Sequence, residues 1–398
     1  MAQIRIREKD NTGSSNAGST TNYIAVRYTN AVLGDEKIVL LTADNIATVL
    51  KLTGGKALDD TAARIKGLYD LGGQILVVNS WDAAKDYLLD RNQCDVKLLL
   101  CGSVDTTESV EDAGGTTVSK TTLELTTAIA ASRRDCAVVY GRNGEDDKWT
   151  WTTEETGVLD TTLTPADDAF LSKETYAYVS KYVIPVEANA LKGVDYTGKT
   201  TSNLPAEFMY ANAYLTSIKN GNPEWLTIAG SSRGACSISD VACGPVTEST
   251  LNKIQASTEG TRSINPILNA NPWGVRIWGA RTALPIQKDD DGNAKIVASN
   301  FANIRILLCD LKKRLYKASK KYQFDQNTDV LWVQFKSYVN TLLDEMKLSY
   351  GIAGYRWQKI TEGVANNKLA CTLQIVPVEP VDDFDITIDL SDTLNVTE

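Results

Sequence analysis

Residues 271–283 read NPWGVRIWGARTA, and the interpretation of the whole chain depends on this stretch. Val275 and Ile277 favour a β-strand, whereas Gly274 and Gly279 permit a bulge or the close approach of another backbone. Taken alone, the pattern predicts a strand with one apolar face and with arginines that anchor an edge. A plain core strand would account for it equally well.

The composition is that of an ordinary soluble globular protein. The 398 residues are enough for two or three domains, and 43% of them are hydrophobic while 23% are charged. A formal net charge of −9 argues against a general nucleic-acid binder or a protein of anionic membrane surfaces. No apolar run approaches the length of a membrane span. The sequence therefore predicts neither a nucleic-acid partner nor insertion into a membrane.

The chain lacks the residue type on which many catalytic and metal sites depend. The chain has no histidine, which excludes Ser-His-Asp and Cys-His nucleophiles and histidine-ligated metals. Its seven cysteines are scattered, as expected of a reduced, intracellular protein, and Cys236 with Cys243 lacks two further ligands. The acidic loop DDDGN at 289–293 resembles a calcium loop only superficially, because its glycine comes one position too early, and it predicts a β-hairpin. We expect no metal, no cofactor and no catalytic residues.

Short apolar runs alternate with amphipathic runs along the chain, which predicts a mainly parallel α/β sheet covered on both faces, with α+β character in part. The predicted strands are 74–79, 95–101, 135–140, 225–229, 369–378 and 384–390. The predicted helices are 42–50, 59–71, 80–89, 120–132, 165–182, 204–218, 300–321 and 328–348.

Both ends of the chain alternate like half-buried strands. Residues 2–7 are followed by a linker at 8–22 that is rich in Ser, Thr, Asn and Gly, and such a strand on a tether favours donation to another subunit over a disordered terminus. Arginines occupy the polar face of the first strand and aspartates that of the last, so the two ends are complementary. The residues predicted to exchange between subunits are Ile4, Arg5, Ile6, Arg7, Phe384, Asp385, Ile386, Ile388, Asp389 and Leu390.

The run GVDYTGKT at 193–200 fits the phosphate-loop pattern G-x-x-x-x-G-K-[ST]. That motif works only where a strand enters the loop and a helix starts at its lysine. Here EANALK precedes the run and does not read as a buried strand, and the next helix begins near Pro205. We therefore expect no nucleotide binding at this loop.

The second half of the helix predicted at 300–321 is strongly basic. This face either is solvated at the helix C-terminus or contacts an acidic partner, and the pattern leaves both open. The lysines proposed for such a contact are Lys312, Lys313, Lys317, Lys320 and Lys321.

The opening stretch resembles the G-x-x-x-W-G-A-R-T signature of phage tail sheath proteins, also found in bacteriocin-like contractile particles. Its signature residues, expected to be structural, are Gly274, Trp278, Gly279 and Arg281. Ile306 and Gln326 depart from the family pattern, which puts in doubt any contact those two positions make in the family. The segments similar to the family's later motifs are IRIL at 304–307, FDQN at 324–327, LW at 331–332, IVPV at 375–378 and FDITI at 384–388.

The resemblance implies a structural subunit, not an enzyme, of a contractile tail sheath. It implies helical homo-oligomers around an inner tube, baseplate and tail terminator proteins as further partners, and a place in the virion tail after assembly in the host cytoplasm. A non-contractile structural protein and a nucleotide-binding α/β enzyme are the alternatives. The implied organisation is a donor strand and linker at 1–22, a middle α/β domain at 23–250 with an insertion at 141–164, a polymerising core at 251–380 and an arm strand at 381–398.

Overall fold

The computed structural model of the protein describes most of the chain. The described residues are 23–57, 59–102, 106–111, 114–144, 180–189, 191–195, 197–198, 200–201, 205–238, 240–241, 265–284, 286–288, 294–362 and 368–381.

Strands and helices alternate in the first half of the chain, and two long helices followed by a hairpin end the described part. The strands are β1 Tyr23–Arg27, β2 Ile38–Leu40, β3 Gln74–Val78, β4 Val96–Leu100, β5 Thr107–Glu111, β6 Thr117–Thr121, β7 Ala137–Gly144, β8 Val183–Asn189, β9 Leu191–Val194, β10 Thr200–Thr201, β11 Asp240–Val241, β12 Asn265–Asn269, β13 Val275–Ile277, β14 Gln287–Lys288, β15 Ala294–Lys295, β16 Ile352–Ile360 and β17 Ala370–Pro377. The α-helices are α1 Ile46–Val49, α2 Asp60–Asp70, α3 Trp81–Leu89, α4 Thr122–Arg133, α5 Ala206–Lys219, α6 Gly230–Arg233, α7 Ala302–Lys321 and α8 Asp329–Leu348.

An eight-stranded sheet forms the centre of the molecule, in the order β13-β12-β8-β7-β4-β1-β3-β2. Its inner strands run parallel, and only the two edge strands, β13 and β2, pair antiparallel. This confirms the predicted α/β class. The sheet also crosses the predicted domain boundary at 250, because β12 and β13 pair beside β8. The boundary therefore does not separate two sheets.

Successive side chains of each inner strand point to opposite faces, and both faces are buried. Ile24 and Val26 of β1 join α2 and α5 in one core, while Ala25 between them joins α3 and α4 in the other. A third core lies between α7, α8 and the β16–β17 hairpin. The structure is therefore a three-layer α/β unit to which a helical layer and a hairpin are attached.

Most predicted helices in the described residues form close to their predicted positions, and their caps explain why. Asp59, Ser80 and Thr328 each accept a hydrogen bond from a backbone N–H in the first turn of the helix that follows. Thr121 and Glu124 form a reciprocal capping box at α4. The residues 289–293 lie outside the described residues, but β14 and β15 on either side pair antiparallel as the hairpin prediction requires.

Some predictions of local structure are wrong. Residues 225–229 form turns and irregular backbone instead of a strand. A helix was predicted at 165–182, but residues 180–182 are not helical in the structure. The other residues of that prediction lie outside the described residues. The insertion predicted at 141–164 starts too early, because residues 141–144 extend β7 and pair with β8.

Candidate functional site

The signature stretch at 271–283 forms the edge of the central sheet. Strand β13 is three residues long and pairs only with β12 among the described strands. Gly274 has φ +79° in the turn that joins β12 to β13, a conformation that favours glycine. Trp278 stacks on Trp273 with ring centroids 6.1 Å apart, and Trp273 is half exposed. The predicted strand with an anchored edge is therefore present, although it is shorter than expected.

Gly279 and Arg281 bind the stretch to β12 through Asn265. The Asn265 side chain is buried, accepts a hydrogen bond from the Arg281 backbone N–H at 2.6 Å and donates one to the Arg281 carbonyl at 2.8 Å. The Arg281 guanidinium lies over the Phe301 ring, 4.6 Å from its centroid. The signature residues are thus internal links between the sheet edge and the start of α7.

Replacing Gly279 by alanine is expected to destabilise the protein by about 1–3 kcal/mol. A Cβ at this position would lie 2.9 Å from Asn265 Oδ1 and 3.2 Å from Asn265 Cα. The added methyl group would therefore push the signature stretch away from Asn265 of β12. Gly354 in β16 is the matched control, since nothing lies within 4 Å of a Cβ built there. Urea unfolding of the two variants measures the difference, and equal midpoints would show that the close approach is not required.

The β16–β17 hairpin presents an exposed sheet surface. One face packs on α8, where Tyr355 Oη donates to Asp344 at 2.8 Å and Trp357 Nε1 donates to Asn340 at 2.8 Å. Side chains on the other face, such as Val376 at 60% exposure, are open. Neither strand has a second strand neighbour among the described residues, so both outer edges can accept an added strand.

The basic half of α7 is not one uniform surface. Lys313 is 3% exposed and donates to Asp95 at 2.5 Å, and Lys317 donates to the same carboxylate at 2.9 Å. Lys312 donates to the Arg134 carbonyl at 2.9 Å. The contact of Lys313 with a partner stays a prediction, and the structure shows that its charge is buried and paired within the chain.

The other two predicted contact lysines extend beyond this cluster. Lys320 lies over the Tyr316 ring, 5.6 Å from its centroid, and Lys321 lies 4.4 Å from the centroid of Tyr338 on α8. Both are exposed, and neither has a carboxylate partner among the described residues. Either lysine can meet an acidic partner without losing an internal ion pair.

Asp95 lies at the start of β4, where α7 crosses the sheet. Burial alone raises the pKa of this carboxyl, but the ammonium groups of Lys313 and Lys317 outweigh burial and hold the pKa at about 2. The Asp95 carboxylate is therefore charged at neutral pH, where it can pair with both lysines.

A second, buried charge cluster lies where α7 contacts the central sheet, and the sequence did not predict it. Lys97 on β4 is 1% exposed, contacts Glu224 and donates to Asp310 at 3.2 Å. Asp310 also accepts from Arg314 Nε at 2.7 Å, and Arg314 reaches Glu345 on α8 at 3.2 Å. This cluster connects the sheet through α7 to the helix that carries the hairpin.

The phosphate-loop pattern at 193–200 lies on a β-hairpin. A strand does precede it, since β8 and β9 cover most of EANALK, and the prediction of no strand there is wrong. However, Thr200 and Thr201 form β10, which pairs antiparallel with β9, and α5 begins only at Ala206. In the described part of this segment the loop leads into a strand and not into a helix N-terminus, which is the local feature that the motif requires.

The residues predicted to exchange between subunits lie outside the described residues at both ends of the chain. Their placement stays a prediction. The structure adds a surface that can receive an added strand, namely the outer edges of the β16–β17 hairpin.

Neither family models nor curated proteins match the sequence. Solved structures do match along nearly the whole chain. A chain of an extracellular contractile injection system, the PVC sheath complex in its contracted state, matches with 14% identity over 99% of this chain and 98% of that one, at a TM-score of 0.61. A chain of the helical sheath of the anti-feeding prophage in its contracted state matches with 15% identity over 98% and 99%, at a TM-score of 0.59.

A further match is a chain of the anti-feeding prophage baseplate, with 15% identity over 98% of both chains and a TM-score of 0.59. The three structures come from contractile particles, and the likeness extends from the central sheet to the hairpin region. The protein therefore has the fold found in these contractile assemblies.

Proposed function

We propose that this chain is a structural subunit of a contractile sheath, which polymerises helically around an inner tube and contracts to drive that tube through an envelope. The observation that carries the proposal is the likeness to a chain of a contracted sheath complex over nearly the full length of both chains. The open edges of the β16–β17 hairpin support it, since head-to-tail contacts that do not close generate helical tubes.

Electron microscopy of the purified protein tests the proposal directly. The expected result is hollow tubes that occur in two diameters, one extended and one contracted. Tubes of one diameter under all conditions would favour the non-contractile alternative, and monomers alone would contradict both. ATP hydrolysis that is lost in Lys199→Ala would favour the enzyme alternative instead.

The terminal strands are the proposed links between subunits. In this proposal residues 2–7 and 384–390 add to the hairpin sheet of a neighbouring copy, with Arg5 and Arg7 near Asp385 and Asp389. Deleting residues 1–20 is expected to leave folded monomers that build no tubes, because the central cores of the described residues are built by elements from β1 onward. Circular dichroism verifies the fold, and sedimentation measures assembly; tubes from the truncated chain would contradict the strand exchange.

The inner tube is the proposed partner of the end of α7. Lys321→Glu is expected to weaken co-sedimentation with tube protein by about fivefold, the effect of one exposed ion pair. Lys347→Glu, on the exposed side of α8, is the control. Charge reversal at Lys313 or Lys317 would not test the contact, because it would break the ion pairs to Asp95. Baseplate and terminator proteins, the virion tail and assembly in a host cytoplasm belong to the same proposal.

A further inference from the structure

Helix α7 passes across the amino ends of neighbouring parallel strands of the central sheet. Strands β7 and β8 pair in parallel, so their amino ends lie side by side at one edge. Arg305 of α7 lies over the ring of Tyr182, the residue directly before β8. Two helical turns further on, Lys312 donates to the carbonyl of Arg134, the C-cap residue of α4, shortly before β7. The first half of α7 therefore carries cations along this edge of the sheet.

Three cations meet at this place, and together they are called the cation cluster below. They are Lys181, Arg305 and Lys312. No member of the cation cluster forms an ion pair with a carboxylate among the described residues. The second half of α7 differs, because there Asp95 and Asp310 neutralise the cations that approach the sheet. The cation cluster is therefore a local excess of positive charge on a chain whose formal net charge is −9.

Arg305 is the buried member of the cation cluster. Its residue is 2% exposed, and its Nε has no hydrogen-bond partner among the described residues. The guanidinium lies 4.8 Å from the centroid of the Tyr182 ring, and Lys181 Nζ lies 5.7 Å from the same centroid. A ring face attracts a cation but does not neutralise it. Because a buried charge is costly without a counter-charge, this position favours a bound anion.

The members of the cation cluster also repel one another. Burial lowers the pKa of Lys312, and the positive charge of Arg305 lowers it further. The same two causes, in the same order, lower the pKa of Lys181. Like charges that are held close together disfavour the charged form of each group. An anion that binds among them removes this repulsion and stabilises the folded chain.

An oxyanion of the phosphate class matches the cation cluster better than a single carboxylate does. A carboxylate carries one charge, whereas a phosphate group carries nearly two at neutral pH and has three strong acceptor oxygens. The guanidinium of Arg305 supplies a planar fork of donors, and each ammonium group supplies three more. Lys181 and Lys312 are both partly exposed, so an anion can approach them from solvent and reach Arg305 behind them.

We propose that the cation cluster of Lys181, Arg305 and Lys312 binds a free multivalent oxyanion of the phosphate class, such as pyrophosphate. The anion neutralises the buried guanidinium and joins α7 to the amino end of β8. The site lies at the opposite end of α7 from Lys320 and Lys321, and the inference does not depend on the proposed function. It assigns no reaction to the anion.

Calorimetric titration of the full-length chain with sodium pyrophosphate tests the proposal, with sodium chloride at equal ionic strength as the reference. Saturable binding and a higher Tm are expected with pyrophosphate alone. Lys181→Gln is expected to weaken the affinity about tenfold, the effect of one charge-assisted hydrogen bond. Lys181 donates no hydrogen bond to a described residue, so the variant is expected to keep its fold, which circular dichroism verifies.

Lys320→Gln is the matched control, because it makes the same change of charge on an exposed residue of the same helix. Its affinity for pyrophosphate is expected to equal that of the wild type. Arg305→Lys is a second variant, which keeps the positive charge but removes the fork, and it is expected to weaken binding about tenfold.

Three results would overturn the inference. Pyrophosphate that has no more effect than sodium chloride would show that the cation cluster does not bind the anion. Equal affinities of Lys181→Gln and the wild type would place the anion elsewhere on the chain. Citrate, a tricarboxylate, is expected to bind more weakly, and an affinity equal to that of pyrophosphate would contradict the phosphate class. Each measurement uses the chain itself and has the same meaning whether or not the chain builds tubes.

Discussion

Replacing Asp310 by alanine is expected to lower the free energy of unfolding by about 3–5 kcal/mol, which is the cost of leaving a buried charge without its partner. Asp310 is fully buried, and it is the carboxylate that joins Lys97 of β4 to Arg314 of α7. Burial lowers the pKa of Lys97, and Asp310 opposes that effect. Without Asp310, the buried ammonium of Lys97 loses its carboxylate partner on α7, and the remaining charged contacts of α7 with β4 are the pairs of Lys313 and Lys317 with Asp95 among the described residues.

A double-mutant cycle with Lys97→Met separates coupling from simple loss of packing. The double variant is expected to be more stable than the sum of the single effects predicts, by about 1 kcal/mol or more. The control is Asp70→Asn, which breaks an exposed pair with Lys66 and is expected to cost about 0.5 kcal/mol or less. Urea unfolding followed by tryptophan fluorescence measures all variants. Additive effects of Lys97→Met and Asp310→Ala would mean that the two charges are not coupled.

This buried cluster matters for assembly because of where its members lie. Lys97 belongs to the central sheet, Arg314 to the helix beside it, and Glu345 to α8, on which the hairpin packs. The cluster therefore links the helix on which the hairpin packs to the central sheet through charged contacts.

The regular elements were predictable where local chemistry agreed with the fold. The run at 74–78 is continuously apolar and became β3, and Ser80 caps the helix that follows. Strand β8 was missed because its second half includes Glu187, a polar residue that the fold buries completely. The strand predicted at 225–229 failed for the opposite reason. Trp225 is buried against α7, α8 and β16. It is therefore apolar because it packs in the core between these helices and the hairpin, and not because it belongs to a strand.

The candidate site was predictable only in outline. The basic character of α7 was visible, but which lysines are free depends on Asp95, more than 200 positions earlier in the chain. The signal that was available is Lys97 in the apolar run DVKLLLC, since a lysine inside a buried strand needs a partner carboxylate. Sequence spacing could not identify that partner, because Asp310 lies on α7, 213 positions further along the chain, and reaches Lys97 only through tertiary packing.

Another buried carboxylate, that of Glu207, has no opposite charge in hydrogen-bond contact among the described residues. It lies in the first turn of α5 and is 2% exposed, and its Oε2 has no hydrogen-bond partner among the described residues. The carboxyl packs directly on the backbone of Gly141, where a Cβ would fall 1.6 Å from Oε2. Burial raises the pKa of Glu207 to about 7 and outweighs the opposing effects of its own backbone N–H and of Arg64.

Replacing Glu207 by glutamine is therefore expected to stabilise the protein at pH 8 and to change little at pH 4.5. Between pH 4.5 and about 7 the unfolded chain releases this proton while the native protein retains it. The free energy of unfolding of the wild type therefore falls by about 1.4 kcal/mol per pH unit in that window, or about 3 kcal/mol in total. The glutamine has no proton to lose, so the variant avoids this loss.

Urea unfolding at pH 4.5, 6 and 8 measures the effect. The difference between variant and wild type is expected to grow with pH up to about 7 and then to stay constant, since both states of the wild type are then ionised. Glu111→Gln is the matched control, because Glu111 is exposed on β5 and its replacement is expected to change stability by about 0.5 kcal/mol or less at each pH. A Glu207→Gln effect of equal size at all three pH values would show that side-chain packing, and not the charge of Glu207, limits stability there.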